Sequence, residues 1–429
     1  MIDLPSLYQK IKTNKLAKDS FWSIFGNGLG NLLLLIAGII IARFLGKDLY
    51  GEYGIVKTTM FYIAAFSTFG LGYTSTKFIS EYKEKDTQQI RAIILASFRI
   101  TLISSVSMCI LLFVFAQPLA NFINASQLAT PFRFLGLILI CRALSTTGAG
   151  LLAGLKKFKE LGINNIISGI VMFGTAIPFT YYWGLKGALL SLLLSQLCLS
   201  VLNLILVGKS YKEYPFSDTF FTKKLLTFSF PVALQELSFT ICNWGAMLIL
   251  TKYASLGELG IYSATTQWNA IILFIPGLLA NVILSYLSEN TDDTQKHRQI
   301  IKRMLFINFI TAFIPFLIVF ILSGIITSMY GSTFHGMQAV LNITIFQTII
   351  TTLTNVFQSN LISMGLNWLL FTIRVSRDLL ILFCLYITLN ITNGYHAALN
   401  FAIINLIIAT ITLGCYLLLF RKYSESPNS

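Results

Sequence analysis

The chain is a succession of apolar runs, each about long enough to cross a bilayer, and that limits it to very few folds. A helix spanning the hydrocarbon core needs about 20 mostly apolar residues. Leu32 to Ile41 is apolar throughout except for Gly38, and its flanks extend the run to residues 20–44. Further runs occupy 53–76, 91–115, 130–154, 160–183 and 185–207. A second set occupies 225–251, 259–287, 300–327, 337–364, 367–391 and 395–420. About twelve spans result. Backbone amides find no water inside a bilayer, so runs of this length must close their hydrogen bonds within a helix. They are too long and continuous for the alternating strands of a membrane barrel. Charged residues make up only 11% of the chain, against roughly a quarter in soluble domains. The expectation is an all-α integral membrane protein.

The first run is too long for a cleavable signal, and no small-residue cleavage site followed by a soluble domain accompanies it. Residues 1–19 carry Lys10, Lys12, Lys15 and Lys18, with Leu7, Ile11 and Leu16 spaced for a short amphipathic helix on the membrane surface. A plain charged flank reads the same way. The net charge is +14, which on a soluble protein would point to nucleic acid. Here the cations follow the loops. The N-terminus and the loops near 77–91, 156–159, 209–224 and 296–303, with the C-terminus, carry most of the Lys and Arg. The loops between them carry only Arg43, Lys47, Arg133, Lys186 and Lys252. By the positive-inside rule both termini are cytoplasmic. No nucleic-acid partner is expected; membrane lipid is. The cysteines (109, 141, 198, 242, 384, 415) all fall inside apolar runs without a C-x-x-C pair, and the three histidines (297, 335, 396) lack ligand spacing. Neither disulfides nor a metal site is expected.

The two sets of six runs repeat one pattern. Asp86-Thr87-Gln88, Arg91 and Ile93-Ile94 recur as Asp293-Thr294-Gln295, Arg298 and Ile300-Ile301. Gly51-x-Tyr53 recurs as Gly260-x-Tyr262, Gly154-Leu155 as Gly365-Leu366, and Gly184-x-x-Gly187-Ala188-Leu189 as Gly394-x-x-Ala397-Ala398-Leu399. Six spans per copy give both copies the same orientation, an arrangement transporters use to place a cavity between halves. The expected organisation is an amphipathic segment at 1–19, a six-helix lobe at 20–207, a cytoplasmic linker at 208–224, a second lobe at 225–420 and a cytoplasmic tail at 421–429.

Residues 42–54 read ARFLGKDLYGEYG. This resembles the Ala-Arg-x-Leu-Gly-x-x-x-Tyr-Gly signature after the first helix of the polysaccharide exporters. These are the Wzx-type flippases of O-antigen and capsule repeat units, in one superfamily (MOP) with MATE drug antiporters and the lipid II flippase. Leu16-Ala17-Lys18-Asp19-Ser20-Phe21-Trp22 looks like the same family's start. The resemblance implies two six-helix lobes around a central cleft lined by helices one, two, seven and eight. It departs from the family in the seventh helix. The family often has an acid midway; here Asn243 is the nearest polar centre and Glu236 lies about two turns earlier. The first helix also lacks the arginine-rich character of a lipid II flippase. Apart from the resemblance, Gly46, Gly51 and Gly54 read as a tight turn that needs dihedral freedom, with Arg43, Lys47, Asp48 and Glu52 paired locally or facing substrate.

A charge near mid-membrane costs roughly 2.5–3.5 kcal/mol, so such residues pair or line a wet cavity. Arg99, Arg142, Glu236, Arg374, Arg377 and Asp378 fall inside the runs. Arg374 and Asp378, four apart, share a helix face and can pair, leaving Arg377 less compensated. The set is net positive, which suits a phosphate or pyrophosphate gripped by guanidinium forks. The competing reading is bonding to backbone, to a neighbouring acid, or snorkelling to an interface. Glu236 and Asp378 serve either charge balance or coupling to a proton or sodium gradient. Asn27, Asn31, Asn243 and Gln267 are candidates for sugar hydroxyls, or for interhelical bonding. Gly26-x-Gly28-x-Gly30 lies within a span and reads as close helix packing, not a phosphate loop. Pro276 is the candidate hinge, or a static kink.

These features point to a flippase, not an enzyme. Its cargo would be a polyprenyl-pyrophosphate-linked oligosaccharide, moved across a bacterial inner membrane without a cofactor. Polysaccharide polymerase and export proteins are the expected partners, and a monomer the expected state. A MATE-type cation antiporter would prefer an acidic interior. A membrane glycosyltransferase or polymerase would need a larger outer loop. A major-facilitator transporter would carry a Gly-rich basic signature at 77–91, which is missing.

Overall fold

The computed structural model describes residues 15–85, 87–215, 221–288 and 294–425. Among them are thirteen α-helices and two 3-10 turns, and no strand. In chain order the first six are α1 (Lys15–Thr68), α2 (Leu71–Lys85), α3 (Ile90–Phe122), α4 (Ala129–Gly154), α5 (Phe158–Lys212) and α6 (Thr222–Tyr253). The remainder are α7 (Leu256–Ile272), α8 (Phe274–Ser288), α9 (Thr294–Ile321), α10 (Ser323–Tyr330), α11 (Met337–Ser363), α12 (Asn367–Thr392) and α13 (Ala397–Glu425). The surface segment expected at 1–19 lies outside the described residues as far as position 14, as do 216–220 of the linker and 426–429 of the tail.

Among the described residues seven helices are long and apolar enough to cross a membrane. Two of these hold two spans each. α1 and α5 run 54 and 55 residues, but each contains one non-helical glycine: Gly46 (φ 71, ψ 172) and Gly184 (φ 54, ψ −131). A positive φ is sterically open to glycine, so one residue suffices to reverse the chain between spans. α6 and α12, at 32 and 26 residues, are also long enough to span. α7 and α8 together supply one more, broken at Leu273. The twelve spans expected from the apolar runs are therefore present. Their outer faces are apolar: Phe306, Ile310, Ile314 and Ile318 are all exposed along α9, where lipid is the matching solvent.

The chain divides into two compact units, Met1–Phe44 with Val56–Thr240, and Leu45–Ile55 with Ile241–Ser429. In the first, α1 and α5 meet backbone to backbone. A Cβ on Gly26 would lie 2.3 Å from Gly162 Cα, and one on Gly30 2.9 Å from the Asn165 carbonyl oxygen. The glycines at 26 and 30 thus serve close packing, as the sequence predicts. Small hydroxyls bridge α2 to α3 and α3 to α4, Ser75–Ser97 at 2.9 Å and Thr101–Thr147 at 2.7 Å, and the amides Asn164–Asn203 join the two spans of α5 at 2.8 Å. Between helices in lipid such bonds act as glue, because apolar faces gain nothing by leaving an apolar solvent.

In the second unit, residues 45–55 pack on α7 with two-fold reciprocity. A Cβ on Gly51 would lie 1.9 Å from the Leu256 carbonyl oxygen, and one on Gly260 2.0 Å from that of Lys47. Positions 47 and 256, like 51 and 260, are 209 apart. Each copy of the repeated motif touches the other as it is itself touched, as in an isologous contact. Two sequence readings change here. Only Gly46 uses dihedral freedom; Gly51 and Gly54 are helical, and their smallness serves contact with Leu256 and Ser263. The match of Gly154-Leu155 to Gly365-Leu366 is also two residues out of register. The amides of Leu155, Lys156 and Lys157 bond to Leu151, Ala153 and Leu152, and those of Met364, Gly365 and Leu366 to Asn360, Ile362 and Leu361. Lys156 (φ 60) and Gly365 (φ 74) are the equivalent residues, again 209 apart.

Candidate functional site

Arg142 sits midway along α4. Its guanidinium carbon lies 4.7 Å from the centroid of the Phe61 ring. Lys57, one turn before Phe61 on α1 and so on the same face, is within electrostatic range of Arg142. Among the described residues Arg142 makes no ion pair. A guanidinium over a ring spends no N–H donor on it, so its five in-plane donors can serve an oxyanion. The sequence reading placed a span over 53–76 yet did not single out Lys57. The available signal was a lysine inside that span, eleven residues after the glycine that breaks α1.

The second unit holds its cations differently. On α12, Arg377 donates from Nε and Nη2 to the Oδ1 of Asp378, at 2.8 and 2.7 Å. Arg374 donates from Nε to Oε1 of Gln358 on α11, at 3.2 Å, and from Nη2 to the same oxygen. This corrects the expected pairing of Arg374 with Asp378, in which Arg377 was the less compensated member. Helical spacing puts 374 and 378 on one face, but the buried Gln358 amide from the neighbouring helix takes the Arg374 fork. Asp378 is buried, and Arg377 keeps 22% side-chain exposure. Cys242 of α6 and Tyr416 of α13 lie within electrostatic range of this group.

The other sequence candidates are scattered. Arg99 is exposed on α3, and Asn31 is exposed on α1. Asn27 accepts a hydrogen bond from Asn165 of α5. Gln267 of α7 donates to the Tyr330 hydroxyl, which also accepts from Trp268 Nε1 at 3.0 Å. Asn243 is half-buried on α6. The side chain of Glu236 lies outside the described residues. Pro276 falls in the first turn of α8, three residues past the break at Leu273. A proline there lacks an amide that the helix start leaves unpaired anyway. Backbone bonding continues across the break, from Gly277 to Leu273 at 2.8 Å.

Residues 16–290 match the family model described as polysaccharide biosynthesis protein. The chain is 24% identical over 264 residues to the succinoglycan biosynthesis transport protein ExoT of Rhizobium meliloti (strain 1021), a match covering 61% of this chain and 51% of that one. The chain thus spans about half the length of that relative. It is 21% identical over 324 residues to a Shigella flexneri protein named as an O-antigen transporter, covering 73% of this chain and 76% of that one. Among solved structures it resembles a multidrug resistance MATE family transporter of the MOP superfamily in an inward-facing conformation. The TM-score is 0.79 at 15% identity, over 93% of this chain and 96% of the other. That likeness is one of fold. The family match covers more than half of the chain, and the chain is a multi-pass membrane protein that belongs to the polysaccharide biosynthesis protein family.

Proposed function

We propose that this protein is a flippase. It carries a polyprenyl-pyrophosphate-linked oligosaccharide, the repeat unit of a surface polysaccharide, from the cytoplasmic to the outer leaflet of a bacterial inner membrane. The observation that carries this reading is Arg142: a mid-membrane guanidinium resting on Phe61, near Lys57, with its donors unspent on any carboxylate among the described residues. A half-buried cation held this way within a span suits an anionic headgroup. The relatives named as polysaccharide and O-antigen transporters support the substrate class. An amide side chain such as Asn243 would meet sugar hydroxyls, and the prenyl tail would stay in lipid. Translocation needs alternating exposure of the headgroup site to the two leaflets and no covalent step.

The test is export. Arg142→Ala in a strain lacking the native copy should reduce surface polysaccharide by roughly tenfold to a hundredfold, the loss of one charge-assisted phosphate contact. The variant should remain folded in the membrane. Wild-type export from it would remove the basis of the proposal. Coupling to a proton or sodium gradient forms part of the same reading, with Glu236 as the carrier. Glu236→Gln should then flatten the dependence of transport on pH or sodium, and an unchanged dependence would leave Glu236 a structural role. The fold likeness to a MATE transporter favours a second reading, a cation antiporter. Efflux of a cationic dye that survives Arg142→Ala would support it.

A further inference from the structure

The geometry points to Arg377 as an anion-binding group whose resting partner, Asp378, is a tethered stand-in that an incoming phosphate displaces onto Arg374. The ligand class rests on the function proposed above; the exchange itself rests on three features of α12.

First, the resting pair is poorly matched. Residues adjacent on a helix do not face each other, and here two guanidinium donors converge on the one oxygen Oδ1. The strong arrangement sets two donors against two oxygens in parallel. A phosphate or pyrophosphate offers that arrangement to Arg377 and is free to orient. Second, access is ordered. Arg377 keeps 22% side-chain exposure while Asp378 keeps 7%. An anion approaching this group therefore meets the guanidinium before the carboxylate behind it. Third, the displaced carboxylate has somewhere to go. Arg374 lies four residues before Asp378, the spacing at which helical side chains do meet. Its present contact at Gln358 is to a neutral amide, a weaker acceptor than a carboxylate. Among the described residues, the charged and titratable groups facing Asp378 are Arg374, Arg377, Cys242 of α6 and Tyr416 of α13.

The group is thus a two-position device. At rest Asp378 holds Arg377 and Gln358 holds Arg374. With the anion bound, the anion holds Arg377 and Asp378 holds Arg374. Asp378 keeps a cationic partner in both states, so the buried carboxylate is never left alone, which would be strongly unfavourable. The competition also keeps binding weak enough for release.

Calorimetric titration of inorganic pyrophosphate into the purified full-length protein tests this. Asp378→Asn should bind about tenfold tighter than wild type, because one charge-assisted contact is no longer contested. That gain should vanish when Arg377→Ala is added, so Arg377→Ala/Asp378→Asn should match Arg377→Ala alone. The double variant also guards against misfolding, since both members of the pair are gone. Gln358→Leu changes no charge, yet it removes the amide that competes with Asp378 for Arg374, so it too should tighten binding. Unchanged or weaker affinity in Asp378→Asn overturns the exchange. So does a gain that persists without Arg377, or an affinity indifferent to Gln358→Leu. The two proposals fail separately. The full binding pattern in a protein whose deletion leaves surface polysaccharide intact would keep the anion site and remove the flippase. Export lost in Arg142→Ala, with pyrophosphate affinity indifferent to Asp378, would do the reverse.

Discussion

The two compact units hold the half-buried cations inside their spans by opposite means. In the first, Arg142 rests on the Phe61 ring. In the second, Arg377 is bonded to Asp378 and Arg374 to Gln358. An aromatic face lowers the cost of burying a guanidinium and uses none of its N–H donors. A carboxylate or amide uses those donors directly. On the reading proposed above, the first arginine meets an anion at once, and the second only after an exchange. Two sites of the same net sign can differ in this way in affinity and in release, a distinction that counting charges does not reveal.

The largest effects should separate the two. Arg142→Lys keeps the charge and loses the planar fork, and should cut export about tenfold. Arg377→Lys should cut it less, since a compact ammonium competes for Asp378 as well as for phosphate. Equal losses, measured as surface polysaccharide per folded protein, would break the contrast. The close backbone contacts come next. Gly26→Leu drives a side chain into Gly162, and Gly51→Leu drives one into the Leu256 carbonyl. Overpacking typically costs about 1–3 kcal/mol, and with backbone on the far side both should sit at or above the top of that range. Gly26→Leu should lower the melting temperature in detergent, as should Gly51→Leu. A variant that melts like wild type would mean the helices can separate there without penalty.

Smaller effects test the partners. Phe61→Leu keeps an apolar side chain and removes the ring, with an expected loss of about 0.5–2 kcal/mol of Arg142 stabilisation. No change in melting temperature would leave the stacking without weight. The smallest expected effect is at Glu258 of α7. Its Oε2 accepts the Ala398 amide at the start of α13, at 2.8 Å. That carboxylate satisfies an otherwise unpaired amide and complements the helix dipole. Glu258→Ala should cost about 1 kcal/mol, the usual value of a lost cap, and should leave export intact. Denaturant midpoints compared with wild type would detect it.

Much of the fold was legible in the residues because hydrophobic length is a local property. Each span needs only its own apolar run, and the repeat shows in short motifs such as Gly51-x-Tyr53 and Gly260-x-Tyr262. Site positions were legible in part, because a charge inside an apolar run is conspicuous wherever it points. Partners were not. Arg374 and Asp378 have ideal helical spacing, but Gln358 reaches Arg374 from another helix. Lys57 went unnoticed because its significance lies in Arg142, 85 residues away, and not in its own run. The register of the repeat was misread at Gly154 and Gly365 because the conformation is held by backbone bonds, whatever residue occupies the turn; Lys156 fills in one copy the role of Gly365 in the other.

The sequence by itself thus determined that this chain crosses a membrane about twelve times, in two related halves, with more cations than acids among the charges inside its apolar runs. These follow from the cost of placing each residue in lipid, which is set one residue at a time. Tertiary structure alone decided which cation rests on a ring, which is bonded to an acid, and which glycines are small for contact and not for conformation. Those outcomes depend on side chains brought together from distant helices, and no single run of the chain contains both partners.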